Sequence, residues 1–379
     1  MDYKSKFGFG CMRLPLKDEN DPTSINQELF NDMVDIYMEK GFNYFDTSYA
    51  YHNGTSETAM KKAIVDRYPR ESFKICDKMP TWALTSKEDN EKFVKTMLER
   101  LGIDYFDVFF IHNINVPWLK LAEENNSFDY IQKMKEEGIA KKIGFSFHDN
   151  STLLEEFLEK YGEIFDIAQL ELNYLDWEDP AIESHKCYEL CVKHGLDVYV
   201  MEPLKGGVIV NQPKEIEDNF KEFNPDKSIA SYALRFCASL DNVKMVLSGM
   251  NKMDDLLENI ETFENFTPLS PEEEEFLLIQ ADKLRENLAV PCSECGYCLK
   301  ACPCDIPIPE YFKLYNMHKV QEQSNIYRLY FDKLGEEKVP ASDCIKCEAC
   351  IDYCTQKINI PEELENLCNH FQEGFSPYG

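Results

Sequence analysis

Eight of the 15 cysteines in this 379-residue chain fall into two runs of one spacing. The first run is Cys292, Cys295, Cys298 and Cys302; the second is Cys344, Cys347, Cys350 and Cys354. Both read C-x2-C-x2-C-x3-C, the spacing with which thiolates wrap a cubane [4Fe–4S] cluster. A tight loop offers three sulfurs, and the turn after it offers the fourth. Zinc ribbons are the competing use of paired cysteines. They draw ligands from C-x2-C units at varied separation and do not call for a third and fourth cysteine at these intervals. Two full copies favour two [4Fe–4S] clusters. Cys304 is read as a spare that ligates nothing.

A second set of chemically able residues is dispersed. Asp46, Lys78, His112, Ser146 with His148, Gln169 with Asn173, Glu202 and Ser248 each close an apolar run. The runs are 7–14, 42–47, 73–79, 106–112, 142–147, 166–172, 197–202 and 243–248. Near-continuous apolar runs are what strands covered on both faces require. Amphipathic stretches join them. In the first, Phe30, Met33, Val34 and Tyr37 recur at helical spacing. Gly41, Gly102, Gly138, Gly162 and Gly195 follow such stretches, where a helix ends in the left-handed conformation. Eight strands joined by helices predict a (β/α)8 TIM barrel, with the polar strand ends on its C-terminal rim. An open doubly wound sheet would carry a G-x-G-x-x-G turn after its first strand, and none is present. Residues 277–288 read as a last helix, so the barrel is expected over 1–285 and a small cysteine module over 286–379. Within the module, helices are expected over 310–331 and 358–366.

Composition narrows the partners. A net charge of −29 repels nucleic acid and anionic lipid, so neither is expected. No apolar run approaches membrane-spanning length. The start of the chain lacks an apolar signal segment, and free thiols suit a reducing compartment. A cytoplasmic protein of an anaerobe is expected.

The stretch from Gly41 through Phe45, Asp46, Thr47, Ser48 and Tyr51 to Ser56 and Glu57 resembles the signature of aldo/keto reductases. Lys78 and His112, closing the third and fourth runs, fall at that family's remaining catalytic places. The resemblance covers about residues 5–265. With the cysteines, residues 144–148 and residues 201–207, the chain looks like the iron–sulfur subgroup. The resemblance implies reduction of a carbonyl, or oxidation of an alcohol, with a nicotinamide cofactor. Hydride addition builds charge on the carbonyl oxygen, so a proton donor must stand there. Tyr51 would be that acid, Lys78 the cation that lowers its pKa, and Asp46 the carboxylate that keeps Lys78 charged. His112 would orient the carbonyl. Without Tyr51, Asp46 and Lys78 would read as an ordinary buried ion pair.

By the same resemblance, Ser146, Gln169 and Asn173 face the nicotinamide, and Ser248, Gly249, Glu258 and Asn259 hold the adenosine end. Three departures from the family pattern involve four positions. Phe147 replaces an asparagine, Met201 replaces a stacking aromatic, and Gly249 and Asp255 replace basic residues that bracket a 2′-phosphate. NAD(H) is therefore favoured over NADP(H), with Lys252 able to rescue the phosphate and with room left for a flavin. The long insert over 303–343 resembles the helical dicluster type of electron-transfer subunit. In two-cluster ferredoxins the fourth cysteine serves the other cluster, so Cys302 would join Cys344, Cys347 and Cys350, and Cys354 would join Cys292, Cys295 and Cys298. A ferredoxin-like electron partner is expected at this module. The alternatives are a flavin- or ferredoxin-linked electron-transfer subunit and a non-catalytic binding or regulatory barrel. Trp82 and Trp118 are candidates for the pocket wall, and nothing in the sequence names the substrate.

Overall fold

Side chains alternate along a strand, so a closed sheet must fill its interior with every second residue. In the computed structural model, which describes residues 3–19, 21–179, 182–320, 331 and 334–373, all eight apolar runs form strands. They are β1 Phe7–Gly10, β2 Tyr44–Asp46, β3 Lys74–Met79, β4 Phe106–Ile114, β5 Ala140–Phe147, β6 Ile167–Glu171, β7 Asp197–Met201 and β8 Val243–Gly249. Neighbours pair parallel in chain order, and β8 closes on β1. β1 stops short of the expected Leu14 because Cys11–Arg13 turns as a 3-10 helix. Pro15, next in sequence, has no N–H to extend a ladder.

Tyr44, Cys76, Val108, Phe110, Ile167, Tyr199, Met245 and Leu247 pack together as the barrel's filling. Gly144 makes room for that layer. A Cβ there would lie 2.3 Å from the Ile167 carbonyl oxygen and 2.5 Å from the Phe110 ring. Overpacking of this kind costs about 1–3 kcal/mol. Two residues beyond the filling, the same inward direction belongs to Asp46, Lys78, His112 and Gln169. The alternation that fills the core thus aims these four into the C-terminal mouth.

Helices α1 (Gln27–Glu39), α2 (Ser56–Met60), α3 (Glu88–Leu101), α4 (Val116–Glu124), α5 (Ser127–Glu136), α6 (Ser151–Tyr161) and α7 (Ser184–Lys193) connect β1 through β7 in turn. Their starts are specified locally. Asn26, Asn115 and Asn150 cap α1, α4 and α6 by accepting from Leu29, Trp118 and Leu153 N–H groups. Gly41, Gly102, Gly138 and Gly195 take the left-handed conformation expected of helix ends. Gly162 does not: its φ of −56° continues α6 into a 3-10 turn.

The chain divides into two compact units. One comprises Met1–Glu178, Glu183–Pro203 and Ala230–Ser270, and so contains every barrel strand. The other comprises Asp179–Ile182, Leu204–Ile229 and Pro271–Gly379. The expected division at 285/286 falls inside the second unit, within the helix Pro271–Asn287. That helix packs on another of the same unit, Lys214–Phe223. Phe276 stacks on Phe223 at 4.1 Å between ring centroids and meets Phe220 edge-on at 5.0 Å.

In the module, the helix Ile308–Val320 packs on the C-terminal helix Ile360–Glu373. Val290, Ile306, Ile308, Tyr311, Phe312, Ile360, Leu364 and Leu367 form the core around the cysteines. Asn316 fastens the entering strand of chain: its side-chain oxygen accepts from the Ala289 and Val290 N–H groups, and its amide donates to the Val290 carbonyl. Of the helix expected over 310–331, residues 321–330 lie outside the described residues, as does the tail 374–379.

Candidate active site and cysteine module

Lys78 is 1 % exposed at the end of β3 and cannot be solvated. Its ammonium is paired with the Asp46 carboxylate and donates to the Thr47 carbonyl at 2.7 Å and to the Tyr51 hydroxyl at 3.5 Å. Burial alone would lower the Lys78 pKa, but Asp46 and its neighbours raise it above the ordinary lysine value. Tyr51 opens the turn after β2. His52 pins that turn, its Nε2 accepting from the Leu14 N–H at 3.0 Å and its Nδ1 donating to the Pro22 carbonyl at 2.8 Å. His52 and Asn53 are both left-handed, with φ of 52° each, which bends the chain sharply enough to aim Tyr51 at Lys78.

His112 is buried at the end of β4, its Nδ1 3.0 Å from the Ser48 hydroxyl. Thr81 donates to the His112 carbonyl at 2.6 Å. Trp82 meets the imidazole edge-on at 5.0 Å and leans on Trp118 at 5.4 Å. Burial, then Lys78, then His148 hold the His112 pKa well below the ordinary histidine value. It is therefore a neutral imidazole. If Ser48 donates to Nδ1, the remaining proton sits on Nε2.

All four expected catalytic side chains thus meet, but one expectation fails. Burial, followed by the Asp46 charge, pushes the Tyr51 phenol well above its ordinary pKa. Asp46 neutralises the ammonium that was expected to lower it, and a buried phenolate is costly. At neutral pH Tyr51 is a fully protonated donor.

The cofactor candidates are placed unevenly. Ser146 is buried, its hydroxyl accepting from the Asn113 N–H at 2.7 Å. Gln169 donates to the second oxygen of Asp46 at 3.3 Å. The Asn173 amide ties Asp176 at 2.8 Å to the Glu202 carbonyl at 3.0 Å, and so positions a loop. Ser248 accepts from Asn259 at 3.1 Å, while Glu258 is exposed on the helix Met253–Glu264. Arg13 packs its aliphatic stem against Gly249, 3.2 Å from where a Cβ would stand.

Sequence reasoning named His148 and Glu57 but missed the buried partner of each. His148 Nδ1 pairs with Glu171 at 3.0 Å, across β5 and β6. Glu57 of α2 and Asp77 of β3 face each other as carboxyl groups, with Arg100 bonded to Glu57 at 2.7 Å. Burial pushes Glu57 up to about 7 against the pull of Arg100, and burial followed by Glu57 pushes Asp77 well above its ordinary value. One proton shared between two carboxyls is the arrangement that satisfies both. Asp77 is the outward neighbour of Lys78 on β3, so only a strand-versus-helix pairing could have revealed it.

The cysteines ring two cavities. Cys292, Cys295, Cys298 and Cys354 line one; Cys302, Cys344, Cys347 and Cys350 line the other. This is the exchanged grouping expected of a two-cluster fold. The backbone repeats as well. Glu294, Gly296 and Asp305 are left-handed, and so are Lys346, Glu348 and Lys357 at the same offsets in the second run. Such turns direct N–H groups inward. The Glu294 N–H reaches Cys292 Sγ at 3.4 Å, and the Ile358 N–H reaches Cys354 Sγ at 3.4 Å. Among the described residues, no three His, Cys, Asp or Glu side chains converge as a single ion would need. Four sulfurs of the two runs line each cavity, the donor set a cubane takes. Burial pushes the Cys350 thiol up to about 11 and Cys292 to about 12, so iron would have to supply the charge that stabilises their thiolates. Cys304 lines the second cavity too.

Comparison with known proteins agrees with this geometry. Residues 6–277 match the Aldo/keto reductase family, and residues 291–358 match the 4Fe-4S dicluster domain. An aldo-keto reductase of Mycobacterium avium is 28 % identical over 236 residues, 62 % of this chain and 75 % of its own. The NADH-specific methylglyoxal reductase of Escherichia coli is 30 % identical over 198 residues, covering 46 % of this chain and 57 % of its own. The structure of a Klebsiella pneumoniae aldo-keto reductase in complex with NADPH superimposes with a TM-score of 0.57 at 19 % identity, over 74 % of this chain and 90 % of that one. With most of its length matched and the same barrel beneath, the chain belongs to the aldo/keto reductase family of oxidoreductases and carries a 4Fe-4S dicluster domain at its C-terminal end.

Proposed function

We propose that this oxidoreductase reduces a carbonyl, or oxidises the corresponding alcohol, at the barrel rim and exchanges electrons with two [4Fe–4S] clusters in the module. The convergence of Tyr51, Lys78, Asp46 and His112 carries the reading. A bound nicotinamide supplies the hydride. Tyr51 donates its proton to the carbonyl oxygen as negative charge grows there. Lys78 stabilises the phenolate left behind, and Asp46 keeps Lys78 charged throughout. Neutral His112 donates from Nε2 to the same oxygen, with Ser48 setting its tautomer. Ser146 and Gln169 would hold the nicotinamide amide; Ser248, Gly249, Glu258 and Asn259 would seat the adenosine end. NADH is preferred, consistent with Gly249 and Asp255 at the phosphate-bracketing positions and with the name of the Escherichia coli relative.

Cys292, Cys295, Cys298 and Cys354 would ligate one cluster; Cys302, Cys344, Cys347 and Cys350 would ligate the other. Bound clusters supply single electrons. Cys347 is exposed, and Leu299 and Ile345, inside the first and second runs, are 42 % and 65 % exposed. Exposed apolar residues beside the cysteines suit a ferredoxin-like partner. The second reading is a flavin-linked electron-transfer protein, favoured by Met201 standing where an aromatic would stack on nicotinamide.

Anaerobically purified protein separates the two. Carbonyl-dependent NADH oxidation, with iron–sulfur absorption and no flavin bands, is expected. Flavin bands without carbonyl-dependent NADH oxidation would overturn the first reading. Tighter binding of NADPH than NADH would overturn the cofactor preference.

A further inference from the structure

Lys205 is 1 % exposed, although it sits in a loop between a leucine and two glycines. Its backbone is left-handed, with φ of 45°, followed by Gly206 at 63° and Gly207 at 102°. A left-handed lysine costs on the order of 1 kcal/mol, so its surroundings must hold it there. Within its unit the Lys205 amino group donates to the side-chain oxygen of Gln356. The Gln356 amide reaches the Thr355 hydroxyl at 3.5 Å, and that hydroxyl stands 3.8 Å from Cys295 Sγ. Gln356 and Thr355 are each 5 % exposed, and Gln356 lines the cavity of Cys292, Cys295, Cys298 and Cys354. The first two donors point from the lysine toward the cavity, which leaves the Thr355 hydroxyl hydrogen free to turn to the Cys295 sulfur.

We propose that Lys205 is a positioning residue that raises the reduction potential of the cluster held by Cys292, Cys295, Cys298 and Cys354, and so sets the two clusters apart. This rests on the reading that the two cysteine cavities hold clusters. Adding one electron to a thiolate-bound cubane adds negative charge. A nearby ammonium, and a hydrogen bond polarised toward a ligand sulfur, both favour the reduced form. The other cavity has a carboxylate, Glu348, in its wall, which disfavours reduction. Electrons arriving in the module therefore settle first on the cluster next to Lys205.

The test is an anaerobic redox titration of the full chain, followed by electron paramagnetic resonance. A wild-type chain without a reduced iron–sulfur signal would sink the cluster reading itself. With both clusters present, Lys205→Gln is expected to lower one midpoint potential and leave the other in place, and Lys205→Arg is expected to restore it. The cluster affected should be the one lost in Cys354→Ala. Unchanged potentials in Lys205→Gln, or an equal fall in both, would overturn the proposal. If Lys205→Gln fails to hold that cluster, Gln356→Leu decides: a lowered potential for the same cluster supports the relay, and an unchanged one contradicts it.

Discussion

Glu57 and Asp77 face each other between β3 and the helix layer behind it, and burial raises both carboxyls toward the protonated form. Asp77 accepts from the Lys78 backbone N–H at 2.8 Å, so this pair sits directly behind Lys78. The charges facing it are Arg100 of α3, which pulls Glu57 down, Lys78, which pulls Asp77 down, and Asp46, which pushes Asp77 up. Burial outweighs them. A carboxyl raised to about 7 keeps its proton in the folded chain at pH values where the unfolded chain, near 4.5, has lost it. Its contribution to stability is full below about 4.5 and is lost as the pH rises through about 7. Asp77→Asn replaces the shared proton with an amide donor. Thermal unfolding followed across about pH 5 to pH 8 should therefore decline less steeply than in the wild type, by on the order of 1–3 kcal/mol over the range. Parallel declines would show that no proton is shared. His112 behaves in the opposite sense: it is held neutral, so its ionisation contributes no limb to a rate profile near pH 6.5.

At the scale of elements, the two cysteine loops are copies whose fourth cysteines line each other's cavity. Cys354→Ala should cost the cluster begun by Cys292 and spare the one begun by Cys344, and Cys302→Ala should do the reverse. Each variant should retain about half of the wild-type iron. Loss of the cluster begun by the mutated run itself would contradict the grouping seen in the two cavities. Spacing announced these loops because a cubane demands fixed intervals. The eight strands were legible for a related reason: burial on both faces leaves little besides apolar residues, and the polar residue that ends each run stands out. Strand ends were less legible. Cys11–Arg13 is apolar enough to extend β1, yet it turns, because no hydrogen-bond ladder continues past it. Gly162 carried the same signal as Gly102, but its backbone is right-handed in the finished fold. Lys205 lies in the stretch 201–207 that carries part of the family resemblance, yet no role for it was legible. A lysine beside two glycines in a loop has no period, and its partner lies far along the chain at Gln356. The Tyr51 pKa was read with the wrong sign because a sequence shows neighbours but not burial.

Across the whole molecule, the chain leaves the barrel unit after β7, contributes residues 204–229 to the second unit, returns for β8, and then enters the cysteine module. The fold thus makes the two units interdependent in sequence. Under the proposed reading, two clusters taking one electron each match the two electrons of a hydride. Among the described residues no helix is long and apolar enough to cross a membrane. Most of the proposed chemistry rests on one phenol. Tyr51→Phe removes a single oxygen from a turn that His52 holds in place independently. The decisive measurement is anaerobic, NADH-dependent carbonyl reduction by Tyr51→Phe beside the wild type, with iron–sulfur absorption and NADH affinity recorded for both. A fall in kcat/KM of at least about 100-fold, with clusters and NADH binding unchanged, is the predicted result. Turnover within a few-fold of the wild type would contradict it and remove Tyr51 as the acid.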